Sequence, residues 1–174
     1  MELQDAIGLI QSERLSTSYP QTWADLGCGG GLFSRALESL LAKGSIIYAV
    51  DQSASVLEKI PSSGKSKIQP VQADFTKDLP LAGLDGILMA NSFHYIKDKP
   101  AFIEKAGRYF QSNKQFLFVE YDTDSPVKQW VPYPVSFSSL QKLFKAAGYG
   151  SFQKLGERPS VYGRAKIYSV LVGF

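Results

Sequence analysis

The chain has 174 residues, 44% hydrophobic and 20% charged, the balance of an ordinary soluble protein with a single domain over 1–174. Its net charge of +3 is scattered rather than gathered into a Lys/Arg stripe, so the sequence carries no strong nucleic-acid signal. One cysteine and one histidine exclude an internal disulfide and Cys- or His-rich metal sites, and the single thiol fits a reducing, cytoplasmic setting.

The opening MELQDAIGLIQSERL is neither a signal peptide nor a membrane span. Leu3, Ala6, Ile7 and Ile10 recur at helical spacing, which predicts a short amphipathic helix before the break at Tyr19-Pro20. A strand over 22–26 runs into glycines, and Leu32, Phe33, Ala36, Leu37, Leu40 and Leu41 then mark a one-sided helix that Gly44 ends. Residues 45–51 form a buried strand, followed by a Ser53-capped helix carrying Val56, Leu57 and Ile60 and closed by Pro61. A strand over 67–75 belongs near a sheet edge because Pro70 cannot donate to a ladder, and a fourth strand covers 84–91.

Pro100 begins a helix with Phe102, Ile103, Ala106 and Phe110 on one side, and a fifth strand covers 115–122. After an aperiodic Pro- and aromatic-rich stretch, Ser138 opens a helix with Gln141 in a capping-box pattern; Leu140, Leu143, Phe144 and Ala147 face inward and Gly148 stops it. Two strands close the chain, and the short link at about 159–164 makes them a hairpin. The reading is an α/β three-layer sandwich: a doubly wound, mostly parallel seven-stranded sheet whose last strand is antiparallel.

The chemistry centres on Asp25-Leu26-Gly27-Cys28-Gly29-Gly30-Gly31. A strand-to-helix turn this tight needs residues without a Cβ if a ligand is to approach the backbone. The helix amides that follow favour a negative group, and strand ends of an open α/β sheet are where ligands bind. A dinucleotide fingerprint would need a third glycine where Leu32 stands, which counts against a NAD-binding oxidoreductase. The D-x-G-x-G-x-G pattern instead resembles the first motif of the class I S-adenosylmethionine-dependent methyltransferases.

Later strand ends extend that resemblance. Asp51 ends the second strand, where the family carries an acidic residue on the ribose hydroxyls; Gln52 is next to it, near the adenine edge. Asp74 and Phe75 match the family's adenine-amine acceptor and its apolar neighbour. Asn91 lies in the segment that passes beneath the methionine part of the cofactor. The resemblance therefore implies S-adenosyl-L-methionine as cofactor, with Asp25, Gly27, Cys28, Gly29, Asp51, Gln52, Asp74, Phe75 and Asn91 around it. The glycine turn, Asp51 and Asp74 each also have a plainer reading as a packing turn, a helix cap and a strand-end turn.

In-line displacement from a sulfonium needs alignment first, and a base only when the acceptor starts protonated. His94 is a candidate base or substrate contact; its plain alternative is a ring bonded to a loop carbonyl. Tyr121 is a candidate acceptor contact or pocket wall, and it and Glu120 belong on opposite sheet faces. Residues 123–137, with Trp130 and Tyr133, are a candidate substrate-covering segment, joined by the helix in 1–19 as a lid; alternatively Trp130 and Phe137 plug the core. The chain lacks an Asn-Pro-Pro-Tyr run after the fourth strand and has no cysteine placed for cytosine chemistry, which counts against nucleic acid as acceptor and leaves proteins and tRNA open; the leading reading is a small-molecule acceptor methylated at O, N or C. A methyltransferase-like domain that binds without turnover is the alternative.

Overall fold

The computed structural model describes residues 1–61, 64–127, 130–160 and 165–174, apart from the side chain at 113. In chain order the elements are α1 (Leu3–Ile10), β1 (Thr22–Leu26), α2 (Leu32–Leu40), β2 (Ile46–Asp51), α3 (Ala54–Leu57), β3 (Lys67–Gln72) and β4 (Leu84–Ala90). A 3₁₀ turn (Phe93–Tyr95), α4 (Lys99–Gly107), β5 (Phe110–Tyr121), α5 (Phe137–Ala146), β6 (Ser151–Pro159) and β7 (Lys166–Gly173) follow.

The sheet order is β3-β2-β1-β4-β5-β7-β6. The first five strands are mutually parallel, and β7 runs antiparallel to both β5 and β6, as the hairpin requires. β3 is an edge strand, consistent with Pro70. Residues 161–164 of the expected hairpin link lie outside the described residues.

Alternation along the strands sorts side chains between two faces. On one, Trp23, Ile47, Leu88, Leu117 and Val119 pack under α1 and α2, using Ala6, Leu9, Ile10, Phe33, Ala36 and Leu37. The helix expected to act as a lid thus has its apolar face docked in the core. On the other, Ala24, Leu26, Ile87, Met89, Phe116 and Phe118 pack under α4 and α5. Phe144 meets Phe116, Phe118 and Tyr149 edge-on at 5.2 Å each, the preferred geometry for aromatic quadrupoles.

Three local expectations change. Phe110 belongs to β5 rather than α4, because its backbone pairs with Leu84 after the helix has ended at Gly107. α5 is capped by Ser136, not Ser138: the Ser136 hydroxyl accepts from the Ser139 amide, while Asp124 accepts from the Ser136 amide and hydroxyl. A carboxylate arriving from twelve residues away outweighs the local capping-box pattern. α3 is a single turn ending at Leu57.

Because the parallel strands share direction, Leu26, Asp51, Gln72, Ala90 and Tyr121 finish at one edge of the sheet. The candidate site residues gather there.

Candidate active site

The turn after β1 is locked from behind. The amides of Gly27 and Cys28 both donate to the Val50 carbonyl, at 2.8 and 3.0 Å. Gly27 has φ +80°, and a Cβ there would sit 2.6 Å from Ser92 Cβ and 3.1 Å from the Phe75 ring. Only glycine satisfies both the left-handed backbone and this approach. Gly29, at φ +52°, has nothing within 4 Å of where its Cβ would lie. The turn is packed at its root and open at its crest.

Asp51 faces the turn. Its Oδ2 accepts from the Gly29 amide at 3.0 Å and its Oδ1 from the Ser53 amide at 2.9 Å. One carboxylate thereby sets the crest of the turn and the start of α3. Each of its oxygens keeps a second lone pair for a hydroxyl.

Asp25 is fully buried on the α2 side of β1. Its Oδ2 accepts from the Ser34 hydroxyl at 2.6 Å, while Oδ1 is sealed from solvent and has no partner. Burial pushes its pKa up to about 7, with the Asp51 charge adding to the rise and Ser34 opposing it. A sealed carboxylate oxygen left over in this way suits a cationic partner. Asn91, at φ +53°, also has its side-chain Oδ1 sealed without a partner. Burial, then Asp25 and Asp51, push the Cys28 thiol far up its range, which removes it as a nucleophile.

On the neighbouring strand end, Asp74 Oδ1 accepts from the Thr76 amide and hydroxyl at 2.9 and 2.6 Å, and these bonds hold its carboxyl below the usual range. The Lys105 ammonium donates to the carbonyls of Phe75, Thr76 and Lys77, bracing this turn from α4. Gln52 is exposed, and its carbonyl accepts from the Gln72 side chain. Two open surface grooves, of about 520 and 350 Å³, lie along α4–α5 and beside Tyr95 and Lys105; neither is lined by the glycine turn.

A family model for the methyltransferase domain matches residues 24–118. The chain belongs to that family. No curated protein is recognisably similar in sequence. Solved structures sharing the fold include an S-adenosylmethionine-dependent methyltransferase from Aquifex aeolicus, 15% identical, TM-score 0.63, covering 99% of this chain and 98% of the other. An arsenic(III) S-adenosylmethionine methyltransferase from Chlamydomonas reinhardtii is 15% identical, with TM-score 0.65 and coverage of 98% and 72%. The plantazolicin methyltransferase BpumL, in complex with S-adenosylhomocysteine, is 12% identical, with TM-score 0.65 and coverage of 97% and 82%.

The family's methyl donor is S-adenosylmethionine, and this methyltransferase fits it by two observations. The crest at Gly29 is open, and the sealed Oδ1 of Asp25 lacks the cation that an amino-acid ammonium supplies.

β4 is followed by the 3₁₀ turn carrying His94, which is 2% exposed. His94 Nδ1 lies 2.7 Å from Glu120 Oε2, and the His94 amide donates to Glu120 Oε1 at 3.2 Å. The ring is therefore held by a carboxylate, not by the loop carbonyl of the plainer expectation. Tyr95 and Tyr121 flank it, with ring centroids 4.5 and 6.2 Å away. Glu120 and Tyr121 take opposite faces of β5, and the face with Glu120 carries the His94 contact. The importance of Glu120 was hidden because its partner lies 26 residues away.

The segment after β5 reaches the same place. The Tyr133 amide donates to the His94 carbonyl at 3.0 Å. Lys99, at the start of α4, donates to the carbonyls of Ile96 and Tyr133 at 2.8 and 2.6 Å. Burial draws the Lys99 pKa down to about 8, with Glu120 opposing the drop. Nothing in the spacing of the sequence singled out Lys99. Trp130 is 72% exposed, so it does not plug the core, while Phe137 packs against Tyr168 at 5.6 Å.

Proposed function

We propose that this methyltransferase transfers a methyl group from S-adenosylmethionine to a small molecule seated between the glycine turn and His94. The reading is carried by one observation: Asp51 is turned onto the Gly29 amide beside the sealed, unpartnered oxygen of Asp25. Asp25 and Asn91 then hold the ammonium end of the cofactor, Asp51 its ribose, and Asp74 with Phe75 its adenine, with Gln52 at the adenine edge. Bound there, the cofactor supplies an electrophilic methyl carbon; the protein's part is alignment of the acceptor.

His94 and Tyr121 border the acceptor position, and the strap through Tyr133, with Trp130 before it, covers it. The Tyr133 amide bonded to the His94 carbonyl supports a small, partly apolar acceptor. Among the described residues no helix is long and apolar enough to cross a membrane.

Calorimetry tests the first step. S-adenosylhomocysteine is expected to bind and NAD is not; binding of NAD alone would defeat the proposal. Radiolabelled methyl transfer into low-molecular-weight extract, against tRNA and protein fractions, then separates acceptor classes. Cofactor binding without transfer to any fraction would leave a domain that holds the cofactor but does not turn it over.

A further inference from the structure

We propose that Lys99 is a positioning residue for the strap, and that the closed strap fits its neutral amine better than its ammonium. Closing the strap therefore releases a proton, and mild acid loosens it. The part this plays in turnover rests on the functional reading above; the clasp itself does not.

The strap crosses the His94 turn with alternate residues turned inward: Val131 and Val135 are buried, and Tyr133 between them is exposed. Its main chain is tied down at three points. The Tyr133 amide donates to the His94 carbonyl at 3.0 Å, Lys99 Nζ donates to the Tyr133 carbonyl at 2.6 Å, and the Tyr168 hydroxyl donates to the Val135 carbonyl at 3.0 Å. Lys99 Nζ also donates to the Ile96 carbonyl at 2.8 Å, and Ile96 caps the 3₁₀ turn. One nitrogen thus fixes the strap against the end of the turn.

The number of donors matters at this nitrogen. An ammonium carries three N–H donors and no acceptor, whereas a neutral amine carries two. Two carbonyls accept from Lys99 among the described residues. The neutral amine satisfies both, and the third proton adds a charge without adding a hydrogen bond. Lys99 is 9% exposed, so that charge is held largely out of water.

The groups around it come from each neighbouring element. β5 supplies Glu120, to which His94 of the turn is bonded; the strap supplies Tyr133 and β7 supplies Tyr168. Asp98, on the near end of α4, is turned onto the Ala101 amide, and α5 buries Leu140 and Phe144, which do not titrate. The rings of Phe93 and Tyr133, with centroids 5.1 and 6.0 Å from Nζ, favour the ammonium. Burial outweighs the Glu120 charge and draws the Lys99 pKa down to about 8.

Opening the strap wets the amine and returns it toward its reference value of ~10.4. The closed state has the lower pKa, so the open state binds more protons between about 8 and ~10.4. Closure is therefore favoured as pH rises through about 8 and opposed below it. A lysine acting only as a charge-assisted tie gives the opposite slope, because its bonds weaken on losing the charge. On the functional reading, loosening admits the acceptor and tightening encloses it.

The Tyr133 amide reports closure through its bond to the His94 carbonyl. Its hydrogen-exchange protection is measured on the full chain, with and without S-adenosylhomocysteine, after correction for the intrinsic pH dependence of exchange. Protection is expected to increase about tenfold from roughly pH 7 to pH 9. Lys99→Arg keeps donors and charge throughout this range, so it should show weak protection with no slope. Lys99→Met should also lose the slope. Wild-type protection that is flat, or that falls as pH rises, overturns the proposal whether or not the variants fold. So does a slope retained in Lys99→Met, or full protection restored by Lys99→Arg. A wild-type protein that shows the slope but does not bind S-adenosylhomocysteine would instead overturn the functional reading and leave the clasp standing.

Discussion

The two halves of the site are built differently. On the side proposed to hold the cofactor, the glycine turn is flanked by Asp51 at the end of β2 and Asp74 just beyond β3, whose carboxylates accept from backbone amides: Gly29 and Ser53 on Asp51, Thr76 on Asp74. On the acceptor side, His94, Lys99, Glu120 and Tyr133 come from four separate stretches and are held by each other. The donor half is shaped by main chain and suits one constant ligand. The acceptor half is made of side chains on a strap and a short turn, which can vary without disturbing the sheet. The relatives illustrate this, since one fold carries arsenic(III) in one case and plantazolicin in another.

The largest expected effect tests the donor half. Asp51→Ala removes hydrogen bonds of a charged group worth about 1.5–3 kcal/mol each, so S-adenosylhomocysteine affinity should drop about 10²-fold by calorimetry. A change under about threefold would mean that this half is not organised around Asp51.

Next comes a pH effect. Asp25 titrates at about 7 in the folded chain against an ordinary 3.8. The folded state therefore holds the proton over that window, and Asp25 contributes stability below about 4 that is lost as pH rises to about 7. A cation bound at Oδ1 favours the ionised form, so cofactor affinity should increase about tenfold from roughly pH 6 to pH 8. Asp25→Asn should flatten that profile and bind weakly throughout.

Lys99→Met sharpens the contrast from the other side. It strips the donor from the Ile96 and Tyr133 carbonyls. Hydrogen exchange over 131–135 should rise about tenfold, corresponding to about 1.4 kcal/mol of local opening. Cofactor affinity should stay within about twofold, because the two halves share no bond through Lys99.

The smallest effect is expected at Trp130. With its ring 72% exposed, Trp130→Ala should move stability by no more than about 0.5 kcal/mol in thermal unfolding. A rise in acceptor KM alone would place the ring against the acceptor; an unchanged KM would remove it from the site.

The alternation of strands and helices and the antiparallel last strand were readable in one dimension. The reason is that their determinants are local: periodicity sets the elements, Gly27 meets a backbone demand at its own position, and Asp51 ends β2. The same locality misled at the start of α5, where Ser138 fits a capping box but Asp124 from across the strap fixes Ser136 instead. Tertiary structure alone decided the acceptor half. Which carboxylate meets His94, which ammonium pins the strap and which oxygen of Asp25 is left without a partner all depend on side chains converging from distant segments. No spacing rule encodes that convergence, because it follows from how the two faces of the sheet pack.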